Sequence, residues 1–491
     1  MDKGEISQKA LEYGLVLSTT ALEQIIDSKI DYKRLFKKAK DDGAWFVTHE
    51  YIEKTTTTDK PDICESEGSE HKKHKACDLE SKLIIHDSSD VTGKSTCAGT
   101  IDDFIQYFNS RYKSLKSVIQ EHVEYKDVST IEQVKAGEQK TKQKIVAIVN
   151  EKRESTRGFK FLDVEDPTGG LTVLIADKND HLKAEYERIL PDEVIGIEGI
   201  LTGELYIANN ITQPDIPLNH TKRYASEEVY AAFLSDIHVG SYLFLEKEFM
   251  SFIEWLNGRG SRREVADRLK YIFIAGDLVD GIGIYPDQES ELTIPDIERQ
   301  YEFLAMLLED IPKHIEIIAC MGNHDASRNA EPQPRVSKDL AGKLYEIPNV
   351  HVCGNPVRFS AHGVEVLMYH GTSMDTIIGS LSSCSYKNPD TAMVELLKRR
   401  HLVPTYGSDS ISPENKDYLF IEDVPDVFHC GHVHTNGYTQ YRGVTVINSG
   451  TWQAKTAYQE RLGHQPTPAR VPIMNLQNHE VIMLDFSANN E

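Results

Sequence analysis

Six apolar runs beyond residue 224, VYAAFLSDIH, LKYIFIAGD, IEIIACMGNH, VEVLMYHG, DVFHCGHVH and VTVINSG, have the length and composition of buried β-strands. Five of them end in Asp, Asn or His. Those ends supply Asp236 and His238, then Asp277, then Asn323 and His324, then His370, and last His432 and His434. Carboxylate, imidazole and amide oxygen together form a mixed hard and borderline donor set that suits Mn, Fe or Zn. Taken singly, each end has an ordinary explanation. Asp236 stands where a helix N-cap would, Gly276-Asp277 reads as a turn, and His432-x-His434 puts two imidazoles on one face of a strand. Five unrelated loops would not all choose ligand residues, so the set as a whole reads as a metal site.

Such a site needs strands whose carboxyl ends converge, because in open α/β sheets ligands bind outside those ends. Apolar strands alternate with amphipathic helices from Tyr224 onward, which predicts a layered α/β domain over residues 224–491. Before it, KIVAIVNEKR, GFKFLDVEDPTGGLTVLIA, DEVIGIEGIL and GELYIANNI predict five short strands with turn signals in residues 128–223. That pattern suits a small β-barrel, with the OB-fold as first candidate. OB barrels can bind single strands through aromatic and basic residues, and here Phe159, Phe161 and Tyr206 are the few aromatics on hand. A structural or subunit-contact role is the alternative.

Residues 1–55 carry helical periodicity and predict a small helical interaction module, with Ser18, Thr19 and Thr20 as caps for a second helix. Residues 56–127 read as a polar linker, largely disordered, that turns helical in IDDFIQYFNSRYKSLKSVI. Inside it Cys64, His71, His74 and Cys77 are metal-competent, but their C-x6-H-x2-H-x2-C spacing matches no common zinc finger. The expected fold class is therefore multidomain α+β: helical module, OB-fold barrel, then the α/β domain.

Bulk properties narrow the classes further. A chain of 491 residues is too long for one core. With 40% hydrophobic residues and a mean hydropathy of -0.42 it reads as water-soluble and globular. No run approaches the roughly 18 apolar residues of a spanning helix, and the N-terminus lacks a basic segment followed by an apolar one. Seven scattered cysteines fit reduced thiols, hence a cytoplasmic location. The formal charge of -23 argues against a basic protein that coats nucleic acid. It leaves room for a nucleic-acid enzyme whose metal ions supply positive field locally.

The blocks D-x-H, G-D, G-N-H-D, H-G and G-H-x-H, in that order, resemble the calcineurin-like metallophosphoesterases over residues 233–452. The resemblance implies a calcineurin-like α/β fold and a two-metal site. Asp236, His238 and His434 would hold the first ion, Asn323, His370 and His432 the second, and Asp277 would bridge them. Two such ions, Mn2+ in the first instance with Fe, Zn or Mg as alternatives, activate water for in-line attack on a phosphodiester, so no Ser or Cys nucleophile is needed. His324 reads as a general acid or transition-state donor. Asp325 either orients the His324 imidazole or caps the following helix. One departure is visible: the double-strand-break repair nucleases of this superfamily carry a histidine three residues after the bridging Asp, where this chain has Asp280.

Longer strings, GDLVDGIGIYP, GNHDASRNAEPQP, VPTYG and FHCGHVHTNG with YRGVTVINSGTWQAKTAYQ, closely resemble the small subunits of the archaeal family-D DNA polymerases over residues 130–475. This second resemblance implies a 3′–5′ exonuclease that proofreads DNA for a separate large polymerase subunit, with a sliding clamp reached through the complex. Tyr285 and Arg328, each just after a metal-bearing strand end, are the expected substrate contacts. RGSRR at 259–263 and KRR at 398–400 read as solvated helix ends, and Trp452 as core or substrate contact. Two rivals stand beside this reading. One is a stand-alone phosphodiesterase for small molecules, which leaves the barrel without a role. The other is an architectural subunit with a vestigial metal site.

Overall fold

In the computed structural model, which describes residues 3–56, 74–176 and 180–487, strand Leu269–Ala275 lies at the heart of the C-terminal domain with every residue buried. Its sequence, LKYIFIA, shows no polar alternation because both faces are covered, as parallel strands inside a layered domain require. Tyr230–Leu234, Leu269–Ala275, Glu316–Cys320 and Val350–Val352 run parallel, with Ile272 opposite both Ala232 and Ile317. Strands Arg470–Asn475 and Val481–Asp485 complete this six-stranded sheet in antiparallel fashion.

A second six-stranded sheet has Val364–Met368, Val427–Cys430 and Val444–Asn448 as its parallel centre. Gly437–Tyr441 flanks that centre on one side, Val357–Ala361 on the other. Phe233, Phe273, Phe359, Val366 and Ile447 fill the space between the sheets. Helices Glu246–Leu256, Ile297–Glu309 and Lys338–Glu346 cover the outer face of the first sheet. Met374–Ser380 and Asp390–Arg399 cover the second. Helices on the outside and two sheets within give the layered α/β architecture that the strand pattern predicts.

Residues 142–212 close into a five-stranded barrel. Its strands are Lys142–Glu154, Lys160–Asp166, Gly169–Ile175, Val194–Thr202 and Leu205–Thr212, with the third paired parallel to the fifth and the fourth returning to the first. Alternate residues such as Ile145, Val149, Leu162, Val173 and Ile197 fill the interior. Tyr206 is buried among them with its hydroxyl on the Gln143 carbonyl at 2.7 Å, so it is not a surface aromatic. Phe159 is exposed, and Arg153 lies over the Phe161 ring.

Helix Ile101–Glu121, started by a capping box between Thr100 and Asp103, joins barrel and sheets. Tyr112 donates to the Val146 carbonyl of the barrel at 3.0 Å, and buried Arg111 donates to the carbonyls of Val403 and Pro404. The KRR stretch serves the same junction and is not a solvated helix end. Arg399 is 2% exposed, 2.7 Å from Glu395 and 3.2 Å from Glu193 of the barrel, while Arg400 Nε donates to the Ile421 carbonyl. A buried guanidinium persists only when its charge is compensated, and the Glu395 and Glu193 carboxylates compensate that of Arg399.

The expected linker also contains ordered structure. Residues Leu83–Ile85 add an antiparallel edge strand to the second sheet, opposite Val357–Ala361. A strand of three residues has no period to read, and its partner lies far along the chain. His74 pairs with Asp267 at 3.2 Å, and Cys77 is partly buried. Cys64 and His71 lie outside the described residues.

Residues 3–56 form helices Lys3–Glu12, Thr19–Asp27, Tyr32–Asp41 and His49–Thr56 around a core that includes Leu22, Ile25 and Phe36. Ser18 caps the second helix, accepting from the Ala21 amide at 3.1 Å. Thr20 instead donates to Glu246 at 2.7 Å, and Phe46 meets Phe303 at 4.4 Å, which fastens this unit to the first sheet's helices. Among the described residues no helix is long and apolar enough to cross a membrane.

Candidate metal centre

Loops leaving three strands of the first sheet and two of the second meet at the carboxyl ends of the sandwich. The turns are tight. Asp236, His238, Asp277, His432 and His434 all have left-handed φ, between 51° and 65°. Non-glycine residues avoid that region, and holding each there costs on the order of 1–3 kcal/mol. Strain concentrated on the candidate ligands marks a place where the surrounding fold over-determines the backbone. Gly322 is required by close approach: a Cβ there would lie 2.2 Å from Asp277 Oδ1. At Gly276, with φ of 81°, a Cβ would lie 2.6 Å from His370 Nδ1.

The seven predicted ligands form two clusters. In the first, His434 Nε2 lies 3.3 Å from Asp236 Oδ1 and 3.1 Å from His238 Nε2. In the second, Asn323 Oδ1 lies 2.9 Å from His370 Nε2 and 3.0 Å from His432 Nδ1. Asp277 Oδ2 stands between them, 3.7 Å from His238 Nε2 and 3.4 Å from His370 Nε2. Donors that share an ion about 2.1 Å away sit roughly 3.0–3.4 Å from one another, so both clusters have the size of a divalent-ion site.

Electrostatics agree with geometry. Burial lowers the His238 pKa, yet the carboxylates of Asp280, Asp277 and Asp236 outweigh it and raise the value to about 9. Burial likewise opposes protonation of His370, but Asp277 and Asp236 lift it to about 10. The field at the centre is therefore negative and favours added positive charge. Burial of Asp236 and Asp277 is tolerable only with such compensation.

Each ligand imidazole is also held from behind. The outer nitrogens pair as His238 Nδ1 with Asp280 Oδ1 at 3.0 Å, His370 Nδ1 with the Ala275 carbonyl at 2.8 Å, and His432 Nε2 with Asp375 Oδ2 at 3.0 Å. Gln459 Nε2 lies 2.9 Å from His434 Nδ1. Such partners fix ring orientation and tune ligand basicity. Asp375 and Gln459 escaped the sequence reading, which had only the neighbouring HG block and the string TAYQ to go on. Asp280 was visible as a departure, and its carboxylate turns out to be steadied by Gln288 and Gln453 at 3.1 and 3.0 Å. Asp280→Asn is expected to weaken metal binding by roughly 10- to 100-fold while leaving the fold intact, as read by calorimetric titration of the chelator-treated protein and by circular dichroism.

The calcineurin-like phosphoesterase family matches residues 230–436. The DNA polymerase II small subunit of Archaeoglobus fulgidus is 46% identical over 402 residues, covering 81% of this chain and 80% of that one. That of Methanothermobacter thermautotrophicus is 38% identical over 480 residues, 96% of this chain and 98% of the relative. The Methanocaldococcus jannaschii protein of the same name is 44% identical over 407 residues, 82% and 68% of the two chains. The chain belongs to the DNA polymerase II small-subunit family.

Beside the ligand set, His324 packs edge-on against His238, with ring centroids 4.7 Å apart. Its Nδ1 bonds the Asp280 carbonyl at 2.7 Å, and burial pushes its pKa below the ordinary value. Asp325 neither orients that ring nor caps a helix. Its carboxylate accepts from the amides of Gly322 and Leu278 at 2.8 and 3.3 Å and from the Tyr301 hydroxyl at 3.0 Å, and the next helix begins only at Lys338. Burial, and then the Asp277 charge, raise its pKa to about 7. Asp325 is thus the pin that holds the GNHD loop to the loop after Asp277. The side chain of residue i+1 points away from its neighbour in such a turn, which a linear string cannot show.

Arg328 is likewise occupied. Its Nε donates to the Pro332 carbonyl, Nη1 to Ser95, and Nη2 to buried Glu414 at 2.9 Å. It fastens the loop instead of facing substrate. Arg328→Ala is expected to lower stability by about 1.5–3 kcal/mol, the worth of hydrogen bonds to a charged group, with KM unchanged. Thermal melts and steady-state kinetics on the same preparation separate this from a lost phosphate contact, which would raise KM. Tyr285 does stand at the lip of the site, 38% exposed, its ring 6.4 Å from His324 and its hydroxyl on Glu291. Trp452 is core, 4.9 Å from Phe249.

Proposed function

We propose that this chain is the 3′–5′ exonuclease subunit of a two-subunit replicative DNA polymerase, hydrolysing DNA phosphodiester bonds at 3′ ends. The observation that carries the reading is the complete seven-residue ligand set, with all four imidazoles held from behind. A vestigial site has no reason to keep both shells. Asp236, His238 and His434 would hold one divalent ion, Asn323, His370 and His432 the other, with Asp277 offering an oxygen to each. Such ions, Mn2+ foremost and Fe, Zn or Mg as alternatives, supply Lewis acidity and an acidic water at neutral pH.

The protein's own groups do the rest. With Nδ1–H committed to the Asp280 carbonyl, His324 has Nε2 free to face the scissile bond; protonated there under the negative charge of an arriving phosphodiester, it hands that proton to the departing 3′ oxygen and returns to the neutral form that burial favours. Asp325 keeps the GNHD loop in place, and Tyr285 at the lip meets the strand end. The barrel's strand order first-second-third-fifth-fourth and the helix Asp180–Arg188 before its fourth strand support reading it as an OB-fold. With Tyr206 inside and its Glu193 tied to Arg399, the barrel serves as a structural and subunit-contact element. The partner is a large subunit carrying the polymerase site, with DNA and a clamp reached through it, in the cytoplasm.

The test is purified chain with Mn2+, alone and with its large subunit, on single-stranded and mismatched DNA labelled at either end. Stepwise loss from the 3′ end, faster in the complex, is the expected result. Loss from the 5′ end overturns the polarity. Turnover of small phosphodiesters without loss of DNA gives the stand-alone reading instead.

A further inference from the structure

Behind the second cluster lies a set of rings that the hydrolytic chemistry does not use. Asp375, which holds His432, also has the Tyr386 hydroxyl near its carboxylate. The Tyr386 ring is stacked on His464, centroids 4.2 Å apart and planes 30° from parallel, and both rings are partly exposed. His464 follows helix Ala457–Leu462, which Gly463 ends in a left-handed turn. The same helix sends Gln459 to His434 and carries Tyr458, which is 63% exposed and close to Tyr386. One short segment thus touches His434 directly, reaches His432 only by way of Tyr386 and Asp375, and adds aromatic faces to that flank.

A strand end needs more than its scissile phosphate to be held. Arg328, the cation expected to contact substrate, is spent on Glu414, and Arg399 is spent on Glu395 and Glu193. With a formal charge of -23, electrostatic attraction to the strand is weak beyond the metal centre. Stacking on aromatic side chains is the other general way to hold single-stranded nucleic acid, and it tolerates any base. We propose that Tyr386, backed by His464 and bordered by Tyr458, is a stacking platform for unpaired nucleobases next to the scissile bond. This deepens the exonuclease reading and rests on it. Because the platform is tied to His432 through Asp375, a stacked base and the hydrolytic centre are held in one frame. Paired bases cannot reach it without unstacking, so it selects frayed or mismatched ends.

The experiment measures binding of the full-length chain to an oligothymidylate whose 3′ linkages are phosphorothioates, and to the same strand with its 3′-terminal bases removed, by fluorescence anisotropy in Mn2+. The wild type is expected to prefer the intact strand by roughly 5- to 150-fold, the range for a base stacked on an aromatic ring. Tyr386→Leu should erase most of that preference and Tyr386→Phe should keep it, since the ring and not the hydroxyl carries the contact. Equal binding of both strands by the wild type, or a preference unchanged in Tyr386→Leu, overturns the platform. So does a Phe variant as impaired as the Leu variant. Base preference without 3′-end loss would remove the exonuclease reading and leave the platform, and 3′-end loss without base preference does the reverse.

Discussion

Asp277→Ala is expected to reduce the proposed 3′-end hydrolysis to the level of chelator-stripped protein and to lower metal binding at both clusters together. Its carboxylate faces both clusters: Oδ2 lies between His238 and His370, and Oδ1 accepts from the His324 amide at 2.8 Å. Burial works against its charge, but the surrounding imidazoles of His370, His324 and His238 hold its pKa well below the ordinary carboxylate range. Removing it would take away a donor that faces both clusters together with a buried negative charge. Asp277→Asn keeps the acceptor for the His324 amide, so it separates loss of charge from loss of loop geometry. Metal content by mass spectrometry and release of labelled nucleotide from the 3′ end are the readouts. An Asp277→Ala chain that retains two ions and near-wild-type rates removes the bridging role, and a wild type no faster than this variant leaves the architectural reading standing.

His324→Ala is expected to cut the rate of the proposed hydrolysis by roughly 10²–10⁴, the usual share of general acid catalysis, while metal binding is retained. The ring touches His238 edge-on and bonds the Asp280 carbonyl, but the close donor contacts of Asn323, His370 and His432 do not include it. Its loss therefore removes a proton donor without opening either cluster. Metal analysis on the purified variant is the control that matters. A missing ion in His324→Ala makes the residue a ligand and ends its assignment as the acid. Retained metal with an unchanged rate ends it in the other direction.

The residues that the structure gathers at the candidate metal centre were legible in the linear chain for a specific reason. A buried parallel strand is a short apolar run, and the residue at its carboxyl end is the one a layered α/β domain presents to a ligand. Asp236, Asp277, Asn323, His370 and His432 each follow such a run, so local pattern and tertiary position coincide. The barrel was legible for a similar reason, since strands of alternating burial between turn signals leave a period of two. Asp280 stood out by its spacing alone, yet its task of holding His238 needed the turn that brings Oδ1 to Nδ1.

What only the tertiary structure decided are pairings between residues far apart in the chain or adjacent but turned apart. Asp325 sits beside His324 in sequence and binds the amides of Gly322 and Leu278 in space. Arg328 and the KRR stretch read as free cations, and long-range burial against Glu414 and Glu193 consumes their charge. Leu83–Ile85 looked like linker because three residues carry no period, and a distant edge supplied its partner. Asp375, Gln459 and the Tyr386–His464 stack come from segments with no common pattern, joined only where both meet the GHVH histidines. Strand periodicity is local, so the linear chain alone marks the metal-competent residues and the strand ends on which they sit. Which side chains hold those ligands in place, and which surfaces remain for a substrate, is settled by contacts that form only when the sheets, the barrel and the connecting helix pack.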